Sequence, residues 1–251
     1  MDKVIEEFIL GIKKGPFKYL KEYKGDKASE NIAKLNKKIG DIYDCAVYQA
    51  WLDMNRTVDG AGKAKKASCE AARKAAAEML REYFDHEPKA TREDFDEWFF
   101  NSWPVVCKPA GLTLGQAQKI LNMAFKYLFC CEDIRSKKQN HFTFCHMPLD
   151  SFTLNWYKNH CAAAQYSGEK WSQINDLDLY YSIEKEIREE LKEKHVLSEE
   201  FSIWADEKQK AELQELTKNL KRLGKDTAFQ KKLTDLERAA LRGLMDKLLK
   251  K

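Results

Sequence analysis

Five prolines and eleven glycines are spread over 251 residues, too few turn-formers to separate the many short strands of a β-sandwich or barrel. Runs that alternate apolar and polar residues are nearly absent as well, so a strand-based core lacks support. No apolar run approaches the length that crosses a bilayer. Where a secretory leader would carry bases, Met1-Asp2-Lys3-Val4-Ile5-Glu6-Glu7 carries acids. The seven cysteines are odd in number and include no Cys-x-x-Cys. Cys130 and Cys131 adjoin in an apolar stretch, which predicts reduced thiols in a cytoplasm. His141, Cys145, His146, His160 and Cys161 lie close in sequence without the paired short spacings of a zinc ribbon, so neither a metal nor another cofactor is expected. Thr57 to Lys66 holds two glycines and three lysines but lacks the spacing and the preceding strand of a phosphate-binding P-loop.

What remains is helical. With 43% hydrophobic and 12% aromatic residues, the chain has enough apolar surface for one large core or two modest ones. The spacing predicts an amphipathic helix from Asp2 to Lys14 stopped by Gly15-Pro16, a long helix from Ser29 to Arg56, and others over Ala67–Phe84 and Thr91–Phe100. Arg135–Phe144 reads as a polar loop whose Phe-Thr-Phe is short enough to pair briefly as a strand. Helices follow over Asp176–Lys194 and from Ser198 onward. From Glu207 to Lys251 two leucine stripes flank Gly224-Lys225-Asp226, the pattern of a helical hairpin. That tail has thirteen Lys/Arg against seven Asp/Glu, and the rest of the chain 31 against 33. The body is therefore not basic, and the positive appendage is the part suited to a protein partner, self-association or a DNA backbone. The expected architecture is all-α, with a two-lobed body over 1–206 and a charged hairpin over 207–251.

One helix draws attention. From Leu112 to Phe129 it is apolar almost all round, yet it holds Lys119 within two turns of a start at Thr113 or Gly115. Burial and the positive end of the helix dipole both disfavour an ammonium there, a setting that makes a lysine nucleophilic. The plainer alternative is a stem that snorkels to solvent. Downstream, His146-Met147-Pro148-Leu149-Asp150-Ser151 ends in an acid placed to cap the next helix, Phe152 onward. Gln49 lies near the apolar stripe of its helix, as a pocket residue or a flank. Trp98, Phe99, Phe100 and Trp103 pack a core or, for Trp98, stack on a base. Glu200 and Trp204, four apart, share a face.

A lysine in a buried helix, a polar loop, then Pro-Leu-Asp at the head of the next helix resembles the helix-hairpin-helix DNA glycosylases. It is closest to their archaeal-type 8-oxoguanine branch. The segments that carry the likeness are Gln118 to Lys126, His146 to Asp150, Trp171 to Ile174 with Leu197 to Trp204, and Ala46 to Gln49; they span residues 40 to 206 as scattered short motifs. The stretch from Cys107 to Gly115 departs from that family, because its glycines stand farther apart than the phosphate-binding hairpin has them. The resemblance implies a two-lobed helical fold that excises a damaged base from DNA through a Schiff base. It gives Lys119 the part of nucleophile and Asp150 that of electrostatic and proton-transfer partner. Gln49 and Glu200 would hydrogen-bond the base, Trp204 and Trp98 would stack on it, and Lys108, Arg135, Lys137 and Lys138 would meet the DNA backbone. Two alternatives stand beside it: a relative acting on modified phage bases, and a non-catalytic helical module that works through the basic tail.

Overall fold

A computed structural model describes residues 3–23, 25–58, 63–161, 168, 170–192, 194–225, 233–235, 237, 240, 241 and 243. Among them are ten α-helices and no strands. Residues 1–204 form one compact unit and 205–251 another.

The first unit is assembled around α6 (Leu114–Cys130), every residue of which is buried. The sequence starts this helix with a reciprocal cap. Thr113 Oγ1 accepts the Gln116 N–H at 3.1 Å and Gln116 Oε1 accepts the Thr113 N–H at 3.1 Å. Around α6 lie α3 (Ile42–Met54), α4 (Lys63–Asp85) and α5 (Arg92–Cys107). The remaining helices of this unit are α1 (Lys3–Gly11), α2 (Ala28–Leu35), α7 (Glu132–Lys137), α8 (Ser151–His160) and α9 (Leu177–Leu191); α10 runs Val196–Lys225.

Three expectations are corrected. The helix read over Ser29–Arg56 is two helices, because a new N-terminus is built in its middle. Asp41 Oδ1 accepts the N–H groups of Tyr43 and Asp44 at 2.9 and 3.0 Å while Asp44 Oδ2 accepts the Asp41 N–H at 3.2 Å. Gly40, at φ +141°, turns the chain into that cap. The segment Phe142-Thr143-Phe144 makes no strand; a 3-10 turn, Gln139–Phe142, puts the Phe142 ring 5.2–5.3 Å from those of Phe129 and Phe84. The basic stretch after Cys131 opens as α7, so Arg135 and Lys137 stand on a helix.

Beyond its expected end at Phe100, α5 runs through Pro104 to Cys107. Proline is tolerated because the carbonyl its missing N–H abandons belongs to exposed Phe100, where water can reach it.

In the second unit, α10 leaves Leu213 and Leu216 exposed. Of the second leucine stripe only Leu233 and Leu241 are described residues, so the predicted hairpin falls mostly outside them, as do residues 59–62 of the Thr57–Lys66 loop and nearly all of the 162–170 connection. No helix among the described residues is long and apolar enough to cross a membrane.

Candidate functional site

Lys119 is the sixth residue of α6, and 4% of its surface is exposed. Its Nζ lies 2.8 Å from Asp150 Oδ2. Asp150 divides its carboxylate between two tasks. Oδ1 caps α8 by accepting the N–H groups of Phe152 and Thr153 at 2.8 and 3.0 Å, leaving Oδ2 to the amine. Burial pushes this carboxyl up, but the Lys119 charge and hydrogen bond, the Thr153 amide and the more distant Lys126 outweigh it and hold it below the usual range. Asp150 is thus an anion at neutral pH, with 13% of its side chain reaching solvent.

Two turns along the same face stands a second lysine. Lys126 and Glu200 are in ion-pair contact with neither side chain exposed. Neither the amine nor either carboxylate oxygen has a hydrogen-bond partner beyond this contact. Aromatic faces surround the ammonium instead, with Phe8, Phe201 and Trp204 centroids at 4.1, 4.5 and 5.3 Å. Burial, the dominant influence, raises the Glu200 carboxyl above its ordinary range, with Lys126 opposing. Half-buried Trp204 makes edge contacts with the rings of Phe8 and Phe152, both at 5.8 Å, and Phe152 follows Asp150 by two positions. The two pairs are therefore joined by one wall. A third carboxyl, Asp53 on α3, accepts the Tyr127 hydroxyl at 2.6 Å and feels both lysines; burial still raises it.

Of the residues expected from sequence, Lys119, Asp150, Glu200 and Trp204 come together. Gln49 is buried and accepts the Phe17 N–H at 3.2 Å, and the Phe17 ring lies 5.1 Å from that of Tyr127, whose hydroxyl donates to Asp53. Trp98 belongs to another ring cluster, with Tyr83, Phe95 and Phe125 at 4.5, 5.6 and 5.8 Å. Phe125 sits about a third of a turn around α6 from Lys119. Of the basic residues, Lys108 and Lys137 are exposed, whereas Lys138 donates to the Phe84 carbonyl at 2.7 Å and Arg135 to the Phe129 carbonyl at 3.3 Å. Sequence reasoning missed Lys126. Its signal was the one that marked Lys119, a lysine where helical spacing demands burial.

The α6 N-terminus itself does not offer free amides. Leu114 donates to Asn175 Oδ1 at 3.2 Å and Gly115 to the Ile174 carbonyl at 2.8 Å. With Gln116 bound to its cap, the first three N–H groups of the helix are engaged within the protein. A cavity of about 530 Å³ lies between α5 and α9, lined in part by Arg92, Asp96, Phe100, Tyr181 and Arg188, and does not include the lysine pairs. No group of three His, Cys, Asp or Glu side chains suited to a metal occurs among the described residues. His146, for one, is taken up by Asp96 at 2.7 Å and the Tyr180 hydroxyl at 2.8 Å.

Comparison with protein-family models finds no matching family, and comparisons with curated proteins and with solved structures find no match.

Proposed function

We propose that the protein is a DNA glycosylase with lyase activity that removes a damaged purine, 8-oxoguanine first, using Lys119 as nucleophile. The observation that carries this reading is the 2.8 Å contact of a buried lysine amine with an anionic, helix-capping aspartate that still reaches solvent. A base inside a duplex must be turned out before any side chain can reach its sugar. Lys119 first passes its ammonium proton through Asp150 to solvent; the freed amine then attacks C1′ as the bond to the base breaks, and the departing base takes the proton that the new C1′–N bond sheds. As the sugar ring opens, the remaining amine proton passes to the ring oxygen, which leaves a Schiff base. Asp150 stabilises the positive charge that develops on the sugar and holds the amine towards it. Lys126 and Glu200, which have no polar partner beyond each other, suit the polar edge of a purine, and Trp204 its face. DNA containing the modified base is the partner this reading requires.

The test is borohydride trapping of the full chain on an 8-oxoguanine duplex and on a panel of other lesions. Wild type is expected to give a covalent adduct, Lys119→Gln none, and Asp150→Asn one formed about 10²-fold more slowly or worse. An adduct that persists in Lys119→Gln removes Lys119 as nucleophile. The absence of any adduct across the panel overturns the lyase reading.

A further inference from the structure

Asp150 is presented by an irregular buried strap, Met147-Pro148-Leu149, which has no secondary structure to satisfy its backbone. Buried backbone groups need partners, and here side chains supply them. Glu184 Oε2 accepts the Met147 N–H at 3.0 Å, and Thr153 Oγ1 donates to the Pro148 carbonyl at 2.9 Å. Leu149 is held twice by one residue: Gln118 Oε1 accepts its N–H at 3.2 Å and Gln118 Nε2 donates to its carbonyl at 2.9 Å. Asn122 Nδ2 donates to the same Oε1 at 3.0 Å, and Gln118 Nε2 also donates to the Gly115 carbonyl at 3.0 Å. The carboxamide is fully buried and all its hydrogen-bonding directions are used.

The sequence positions give this clamp its meaning. Gln118 precedes Lys119, and Leu149 precedes Asp150. We propose that Gln118 is the positioning residue of the Lys119–Asp150 pair, its carboxamide locking the strap to the helix that carries the lysine so that amine and carboxylate meet in one geometry. In catalysis this rests on the glycosylase reading; as a statement about the pair it does not. A misplacement of about 1 Å costs a reaction of this kind up to about 100-fold.

The experiment compares the full-length wild type with Gln118→Leu, Gln118→Glu and, as a control of comparable burial away from the strap, Leu128→Ala. Two readouts are taken: single-turnover trapping against pH, and the Asp150 carboxyl titration by NMR without DNA. Gln118→Leu is expected to trap about 10–100-fold more slowly with unchanged DNA affinity, and its Asp150 is expected to titrate at higher pH than in wild type. Gln118→Glu is expected to recover towards wild-type rate as pH falls, because a neutral carboxyl both donates and accepts as the amide does, whereas the ionised form has no donor for the Leu149 carbonyl. Leu128→Ala is expected to lose stability but keep rate and titration. An unmoved Asp150 titration in Gln118→Leu, or an equal loss of rate in Leu128→Ala, overturns the proposal. If wild type traps nothing, the glycosylase reading falls alone, and the Asp150 titration still decides whether Gln118 positions the pair. Should Gln118→Leu fail to fold, Gln118→Asn, too short to span both groups of Leu149, is read in the same way.

Discussion

Two lysine–carboxylate pairs stand seven residues apart on one face of α6, made from the same chemical groups and placed in opposite circumstances. Asp150 is fixed by a helix N-terminus, touches solvent and is held anionic. Glu200 is sealed, meets Lys126 and no other polar partner, and is driven towards its neutral form. A charge pair that water and helix amides help to support can be opened to admit a substrate without abandoning an ion in an apolar medium. A sealed pair can be opened only by something that replaces its partners. The proposed function therefore places chemistry at the first pair and recognition at the second.

The largest expected effect tests that sealing. Glu200→Ala leaves the Lys126 ammonium buried without its counter-ion and is expected to destabilise the protein by about 3–5 kcal/mol in chemical denaturation. The double replacement Lys126→Leu, Glu200→Leu should recover most of that loss, since apolar groups of similar volume need no partner. If Glu200→Ala costs less than 1 kcal/mol, as a solvated pair would, the contrast between the pairs disappears.

Next comes Gly115, one turn before Lys119. A Cβ there would stand 1.8 Å from the carbonyl oxygen of Trp171, a backbone atom that cannot swing away. Gly115→Ala is expected to cost about 1–3 kcal/mol and to slow trapping, because the displaced helix start carries Lys119 with it. Asp150→Ala removes a cap, worth about 1–2 kcal/mol, and also strands a lysine whose side chain is only 5% exposed, so its cost should approach that of Glu200→Ala.

Acidity separates the pairs by sign. The Asp150 carboxyl is lowered on folding, so its stabilisation is fully present above the unfolded value near 3.8 and is lost as pH falls through the folded value. The Glu200 carboxyl is raised, so stability is greatest below the unfolded value near 4.5 and declines as pH climbs from there to the folded value. Glu184, raised to about 8 chiefly by burial, adds a decline of the same sign over pH 4.5–8. Stability measured against pH in Asp150→Asn should flatten only the acid limb, and in Glu200→Gln only part of the decline above pH 4.5. Any exchange of those limbs reverses the assignment of the two environments.

The unequal visibility of the pairs in the sequence has a physical cause. Lys119 and Asp150 each carry a local mark, an amine in an apolar helix and a proline-led cap, and those marks hold whatever the rest of the chain does. Glu200 and Trp204 were legible as sharing a face, but not as being buried against Lys126, a contact 74 residues away that only packing creates. Gln118 was hidden more deeply, because its partners are backbone groups of Leu149, and backbone groups have no sequence signature. The broken helix at Asn36–Asp41 escaped because Leu35, Ile39 and Ile42 keep helical spacing across it. Gly40 and the Asp41/Asp44 cap were its readable marks. An all-α fold was legible because it rests on periodicity alone.

The smallest expected effect concerns salt, and it separates the pairs by access to ions instead of by strength. Screening acts through mobile ions, whose reach shrinks from about 10 Å at 0.1 M to about 3 Å at 1 M. Asp150 shows part of its carboxylate to solvent, so added salt weakens the field of Lys119 upon it; Glu200 has no face that an ion can approach. Followed by NMR between low and high potassium chloride, the Asp150 carboxyl titration should climb by a few tenths of a pH unit towards its ordinary value while that of Glu200 stays in place. Equal movement of both would mean that solvent enters the aromatic cage, and the two pairs would then not differ in the access of ions to their carboxylates.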